Sequence, residues 1–183
     1  MQTPENDILN RVLDALRFAA EKHQFQRRSG YDALPYINHL IKVTHIIRTI
    51  AGESDPDILI AAALHDVIED TEVTEVYLAE RFGSRVASIV AELTDDMQLS
   101  YDLRKQHQLE GVVHLSPAAQ KIRIADKGAN IQDIITYPLL WDNRRKKDYV
   151  EWAIKIVNRI RGISPALEKW FDEQVENAGK ILG

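Results

Sequence analysis

The sequence contains no cysteine, which excludes disulfide staples, thiolate metal sites and a cysteine nucleophile, so any metal must be held by nitrogen and oxygen. It also lacks a basic excess. Acidic residues outnumber basic ones by 28 to 23, so the surface as a whole gives no electrostatic reason to wrap nucleic acid, and an anion must be held locally. No apolar run approaches the length of a membrane span, and the N-terminus carries acidic residues in place of a basic region followed by an apolar one. No membrane partner is therefore expected, and the cytoplasm is the expected location. No segment alternates like a strand, and there is no internal repeat or low-complexity tract. Nothing in the residues speaks to oligomeric state.

What is present is helical periodicity, and 183 residues with 45% hydrophobic content suit one compact domain spanning 1–183. Thr3 can cap a first helix with Pro4 at its first position, running to about Gln26 with Ile8, Val12 and Leu16 on one face. A turn containing Gly30 and Asp32 follows. Leu40, Val43, Ile46, Ile47 and Ile50 then line a second helix ending near Gly52, with His39 near its start. Asp55-Pro56 begins a third whose apolar run from Ile58 through Leu64 to Ile68 reads as central and buried. Thr74 caps a short helix ending at Phe82-Gly83, and Val86, Ile89, Val90 and Leu93 line the next. A polar stretch holds a helix around Tyr101 to Leu109. Ser116-Pro117 restarts regular structure in a helix that carries Asp126 and Asn130. Pro138 interrupts the pattern, a helix from about Asn143 to Ile160 carries Tyr149 and Trp152, and Ser164-Pro165 opens the last. The expected architecture is all-α, an irregular multi-helix bundle.

The densest chemistry lies in Leu64-His65-Asp66-Val67-Ile68-Glu69-Asp70-Thr71, four ionisable residues ending a helix that otherwise reads as core. Burying so many is costly without a compensating ion. On a continuous helix His65 stacks over Glu69 and Asp66 over Asp70, so all four share one broad face. An imidazole beside a carboxylate is a good donor set for a first-row metal, and the second pair can orient or deprotonate water. A lone His-Asp dipeptide nevertheless occurs by chance in many proteins, and spacing alone does not show that His39 and Asp126 converge on it.

The segments Tyr36-Ile37-Asn38-His39, Ala62 to Thr71, Glu92-Leu93-Thr94-Asp95-Asp96 and Ile124-Ala125-Asp126-Lys127 resemble, in order and spacing, the HD-domain hydrolases of the RelA/SpoT type. The similarity extends to the stand-alone small alarmone hydrolases, including the metazoan single-domain homologue, and continues through Tyr149 to Ala153. The resemblance implies that His39, His65, Asp66 and Asp126 bind one divalent ion, usually manganese, and that Glu69 and Asp70 serve the attacking water, with their separate roles left open. It implies a small-molecule substrate: the family removes pyrophosphate from the 3′ position of guanosine tetra- or pentaphosphate. It also matches Arg28, Asn130, Arg145 and Tyr149 to nucleotide-holding positions.

Where the look-alikes carry basic residues, this chain has Ser29, Met97 and Gln132, so positive charge is subtracted around the expected pocket. Guanosine selection is correspondingly open, with the adenosine analogue or another 3′-phosphorylated nucleotide such as NADPH as alternatives. Two further readings stand beside this one: an HD phosphohydrolase acting at the 5′ end of ordinary nucleotides, and a nucleotide-binding regulator without turnover. Judged by residue type alone, Arg27-Arg28 also fits a solvated turn, Tyr149 a core aromatic and Asn130 a capping residue. The run Arg144-Arg145-Lys146-Lys147 fits a solvated face. His23, His45, His107 and His114 are assigned no chemistry.

Overall fold

The computed structural model describes residues 4–28, 34–137 and 140–183; Thr3, Ser29, Gly30, Asp32 and Pro138 lie outside the described residues. Among those described there are ten α-helices, one 3₁₀ turn and no strand. They are α1 (Pro4–Lys22), α2 (Ile37–Thr49), α3 (Pro56–Leu64), α4 (Val67–Asp70), α5 (Glu75–Phe82), α6 (Ser84–Leu93), α7 (Tyr101–Gly111), α8 (Pro117–Thr136), α9 (Asn143–Asn158) and α10 (Pro165–Leu182). None of these helices is long and apolar enough to cross a membrane.

Two helices organise the rest. In α3 the Asp55 carboxylate accepts from the Asp57 amide and Pro56 fills the first turn, so the helix starts without orphaned donors. Every residue from Ile58 to Leu64 is buried, because α3 is enclosed by α1, α2 and α6. A helix apolar all round has no other stable location. The second organiser, α8, starts with Ser116 accepting from Ala119 and Pro117 at its first position, and packs against α10, α2, α6 and α9. Gly128 permits the approach of α10: a Cβ there would lie 2.2 Å from the Trp170 ring. Gly83, with φ +99°, closes α5 and lets α6 start at once.

Two expected boundaries fall elsewhere. The first helix ends at Lys22, short of Gln26, because the chain turns at His23, where the Gln26 amide donates to the His23 carbonyl at 2.9 Å. Residues 26–28 then pair with 34–36, with an Arg27–Pro35 bridge, which stacks Tyr36 on the buried His23 ring at 5.1 Å. The third helix does not run on to Ile68. It breaks at His65-Asp66, where Asp66 has φ −104° and ψ 0°, and restarts as α4. The single face expected to carry His65, Asp66, Glu69 and Asp70 is thereby divided, and each carboxylate finds different partners. A continuous helix would have lined up the acidic groups in a poorly solvated place; the break lets each be satisfied separately.

Candidate metal centre

His39 enters from the first turn of α2, His65 and Asp66 from the α3–α4 break, and Asp126 from the middle of α8. His39 Nε2 lies 3.2 Å from Asp126 Oδ1 and 3.9 Å from Asp66 Oδ2. His65 Nε2 lies 3.2 Å from Asp66 Oδ2 and 4.0 Å from Asp126 Oδ1. His39, His65 and Asp126, all buried, each offer one ligand atom within 4.8 Å of the others, and Asp66 Oδ2 lies beside both imidazoles. His65 Nδ1 lies 2.8 Å from the Ala62 carbonyl, which fixes the ring with Nε2 inward. That Nε2 is buried without a hydrogen-bond partner.

The electrostatics suit a cation at this cluster. Burial opposes charge on Asp126 and Asp66, yet Lys127 and the imidazoles hold Asp126 well below the carboxylate range, and His65 and His39 do the same for Asp66. Burial likewise disfavours an imidazolium, but Asp66 and Asp126 outweigh it at His65 and raise that ring to about 9. At His39 burial wins and lowers the value. The Asp126 and Asp66 carboxylates and two imidazoles, each with a buried nitrogen that lacks a hydrogen-bond partner, form a nitrogen–oxygen donor set suited to a divalent first-row ion.

Hydrogen bonds behind the cluster orient it. Asn130 Nδ2 donates to Asp126 Oδ1 at 2.7 Å, and Arg28 in turn donates to Asn130 Oδ1 at 2.5 Å and to Asp133 at 2.9 Å. Tyr36 donates its hydroxyl to Asp66 Oδ2 at 2.7 Å. Beyond the break, Glu69 accepts from the Asp95 amide at 2.9 Å, while Asp70 accepts from Gln26 Nε2 at 2.9 Å. The Gln26 oxygen lies 2.5 Å from His23 Nδ1. Desolvation, reinforced by Asp66, Asp95 and Asp70, pushes the Glu69 carboxyl up to about 7. Asp70 moves in the same direction through desolvation and the Asp66 charge.

His39, Asp66 and Asp126 line a cavity of about 250 Å³ together with Glu69, Asn130, Arg145 and Tyr149. Arg28 and Asp70 are not among its lining residues. Arg28, expected to touch a ligand, is turned onto Asn130 and Asp133; Asp70 faces Gln26. Neither Met97 nor Gln132 lines the cavity, and Ser29 lies outside the described residues. Five basic side chains, Arg104, Lys105, Arg123, Lys127 and Arg145, reach the cavity wall. Aromatic rings complete it: Arg145 lies 4.3 Å from the centre of Trp141, and Lys127 4.6 Å from that of Trp152.

Comparison with known proteins places this arrangement. Residues 15–132 match the family of the HD domain. The chain is 39% identical over 172 residues to the mouse guanosine-3′,5′-bis(diphosphate) 3′-pyrophosphohydrolase MESH1, a match covering 93% of this chain and 96% of that protein. The chain belongs to the HD domain family. The human MESH1 is 40% identical over 86% of this chain and 89% of its own length. A solved structure described as a metazoan ortholog of SpoT that hydrolyzes ppGpp, 37% identical, superposes with a TM-score of 0.88 over 92% of this chain and 96% of that one. A guanosine-3′,5′-bis(diphosphate) 3′-pyrophosphohydrolase of Haemophilus influenzae matches 78% of this chain with 21% of its own length at 33% identity. Membership in the HD domain family implies a divalent metal, in accord with the donor set.

In this HD domain several site residues escape sequence reasoning. His23, assigned no chemistry, and Gln26, expected to end the first helix, together support Asp70. Tyr101, Arg104, Lys105 and Gln108 lie in the polar stretch for which only a helix was expected, yet all line the cavity. Their spacing of i, i+3, i+4 and i+7 was the available signal, hidden because the shared face is polar.

Proposed function

We propose that this chain is a manganese-dependent alarmone hydrolase, a single hydrolase domain over 1–183 acting in the cytoplasm. It removes pyrophosphate from the 3′ position of guanosine 3′,5′-bis(diphosphate). The observation that carries the reading is the placement of His39, His65 and Asp126 beside a cavity walled by five basic side chains and several aromatic rings. A small, highly anionic nucleotide suits such a wall, and a nucleic acid does not suit an acidic protein whose basic side chains gather around a pocket.

His39, His65, Asp66 and Asp126 would hold the ion. When bound, the ion supplies Lewis-acid stabilisation of phosphoryl charge and makes water more acidic. Glu69 takes the proton of the attacking water, since of the two candidate carboxylates it alone lines the cavity, and a group held near 7 is well matched to that transfer. Asp70 acts through Glu69: its negative charge helps to keep that carboxyl basic, and Gln26 holds it in place. Tyr149 stays a neutral donor, its phenol pushed well up by burial and by Asp126. Asn130 keeps Asp126 oriented, and Arg28 keeps Asn130. The rings of Trp141, Tyr149 and Trp152 provide faces on which a base can stack.

The test is product identification with manganese supplied. Guanosine 3′,5′-bis(diphosphate) is expected to yield pyrophosphate and guanosine 5′-diphosphate. Release of phosphate from the 5′ end of ordinary nucleotides instead would assign a general HD phosphohydrolase. Binding without turnover would assign a regulator. The adenosine analogue and NADPH belong in the same panel.

A further inference from the structure

Helix α7 has no fully buried residue, and Leu109 is its one side chain packed on the hydrophobic core among the described residues. The face it turns to the cavity is polar. Tyr101, Arg104, Lys105 and Gln108 recur at one helical face and all line the cavity. On that face Arg104 Nε and Gln108 Oε1 are buried and have no hydrogen-bond partner, and the Tyr149 hydroxyl across from α7 shares that condition. A buried polar atom without a partner is costly and marks a place where a ligand completes the bonding.

The side chains that bear these atoms are otherwise anchored. Arg104 Nη1 donates to Met97 Sδ at 2.7 Å, and Gln108 Nε2 donates to Asp95 Oδ2 at 2.5 Å. Lys105 Nζ sits 5.0 Å from the centre of the Trp152 ring, whose indole N–H donates to the Lys105 carbonyl at 3.3 Å. Neither Arg104 nor Lys105 forms an ion pair with a carboxylate among the described residues, unlike Lys127, which sits 3.1 Å from Asp126. Two cations without carboxylate partners thus face the same cavity as the metal cluster.

Resting on the hydrolase reading above, we propose that α7 carries the second phosphate subsite. Arg104 and Lys105 hold the 5′-diphosphate of the nucleotide while its 3′ end lies at the metal cluster, and Gln108 accepts from a hydroxyl or amine of the sugar or base. The reasoning is charge matching. The substrate carries a diphosphate at each end, the ion serves one, and the other needs fixed cations at a distance from the acidic cluster.

The reaction leaves guanosine 5′-diphosphate, which keeps the group that α7 is assigned to hold. Calorimetric titration of the manganese-loaded protein should show tighter binding of guanosine 5′-diphosphate than of guanosine 5′-monophosphate, by about tenfold or more for a charge-assisted contact. Arg104→Ala and Lys105→Ala should erase that preference, and Arg104→Lys should keep part of it. Manganese content should stay at the wild-type level in each variant. In turnover, Arg104→Ala should raise KM more than it lowers kcat. A diphosphate preference that survives loss of both basic side chains overturns the subsite, as does equal weakening of both ligands. If the wild type discriminates the two ligands as stated but releases no pyrophosphate from the bis(diphosphate), the hydrolase reading fails and the subsite stands.

Discussion

Replacing Glu69 by glutamine should stabilise the metal-free protein while abolishing most of its activity. Folding holds the Glu69 proton up to about 7 from an ordinary 4.5, chiefly by desolvation. The native state therefore binds more protons than the unfolded chain between those values, and stability falls as pH rises through that window. At about 1.4 kcal/mol per pH unit, the ionised carboxylate costs the native state at most about 3 kcal/mol above pH 7, and about 2 kcal/mol once solvent reaching this half-buried group is allowed for. Glutamine keeps the shape and can still accept from the Asp95 amide, the one hydrogen bond that Glu69 makes among the described residues. Thermal unfolding in chelator at pH 8 should place the variant about 5 °C above wild type, and the gap should close below pH 4.5. Turnover with manganese should fall by about 10²- to 10⁴-fold, the usual contribution of a positioned base. A variant no more stable than wild type at pH 8 would refute the desolvation argument. A gain that persisted at pH 4 would show that packing, not charge, was its source.

Four other outcomes are expected. His65→Ala should lose manganese on gel filtration and show a smaller rise in Tm on adding the metal, both measurable without substrate. In Asp70→Asn a like charge is removed from beside Glu69, so the acid limb of the residual kcat/KM against pH should move to lower pH; an unmoved limb counts against coupling between the two carboxylates. Gln26→Leu leaves Asp70 without its amide partner, and kcat should fall by about tenfold with manganese content unchanged. Gly128→Ala pushes a methyl group into the Trp170 ring and should cost about 1 to 3 kcal/mol in chemical denaturation, with α8 and α10 forced apart.

Much of the architecture was legible because its signals are local. The Asp55-Pro56 and Ser116-Pro117 starts, the Thr74 cap and the apolar stripes of α2 and α6 each depend on neighbours within a turn or two, so they survive into the structure. The densely charged end of the third helix marked the site for the same reason. Periodicity misled where a side chain's partner lies far along the chain. His65 to Asp70 reads as one helical face, but Tyr36, Asp95 and Gln26 each claim a different carboxylate, and the helix breaks to let them. Arg28, matched by resemblance to a nucleotide-holding position, has its guanidinium on Asn130 and Asp133 of α8, partners that no local pattern shows.

The sequence by itself therefore determined an all-helical chain without thiol chemistry, its principal helix starts, and a set of residues able to bind a divalent ion. The tertiary structure alone decided which of them meet, that Glu69 and not Asp70 reaches the cavity, and that the polar face of α7 turns Arg104 and Lys105 toward it. The physical reason is range: propensity and capping act over a few residues, whereas bringing His39, His65 and Asp126 within 4.8 Å depends on how α2, α3 and α8 pack.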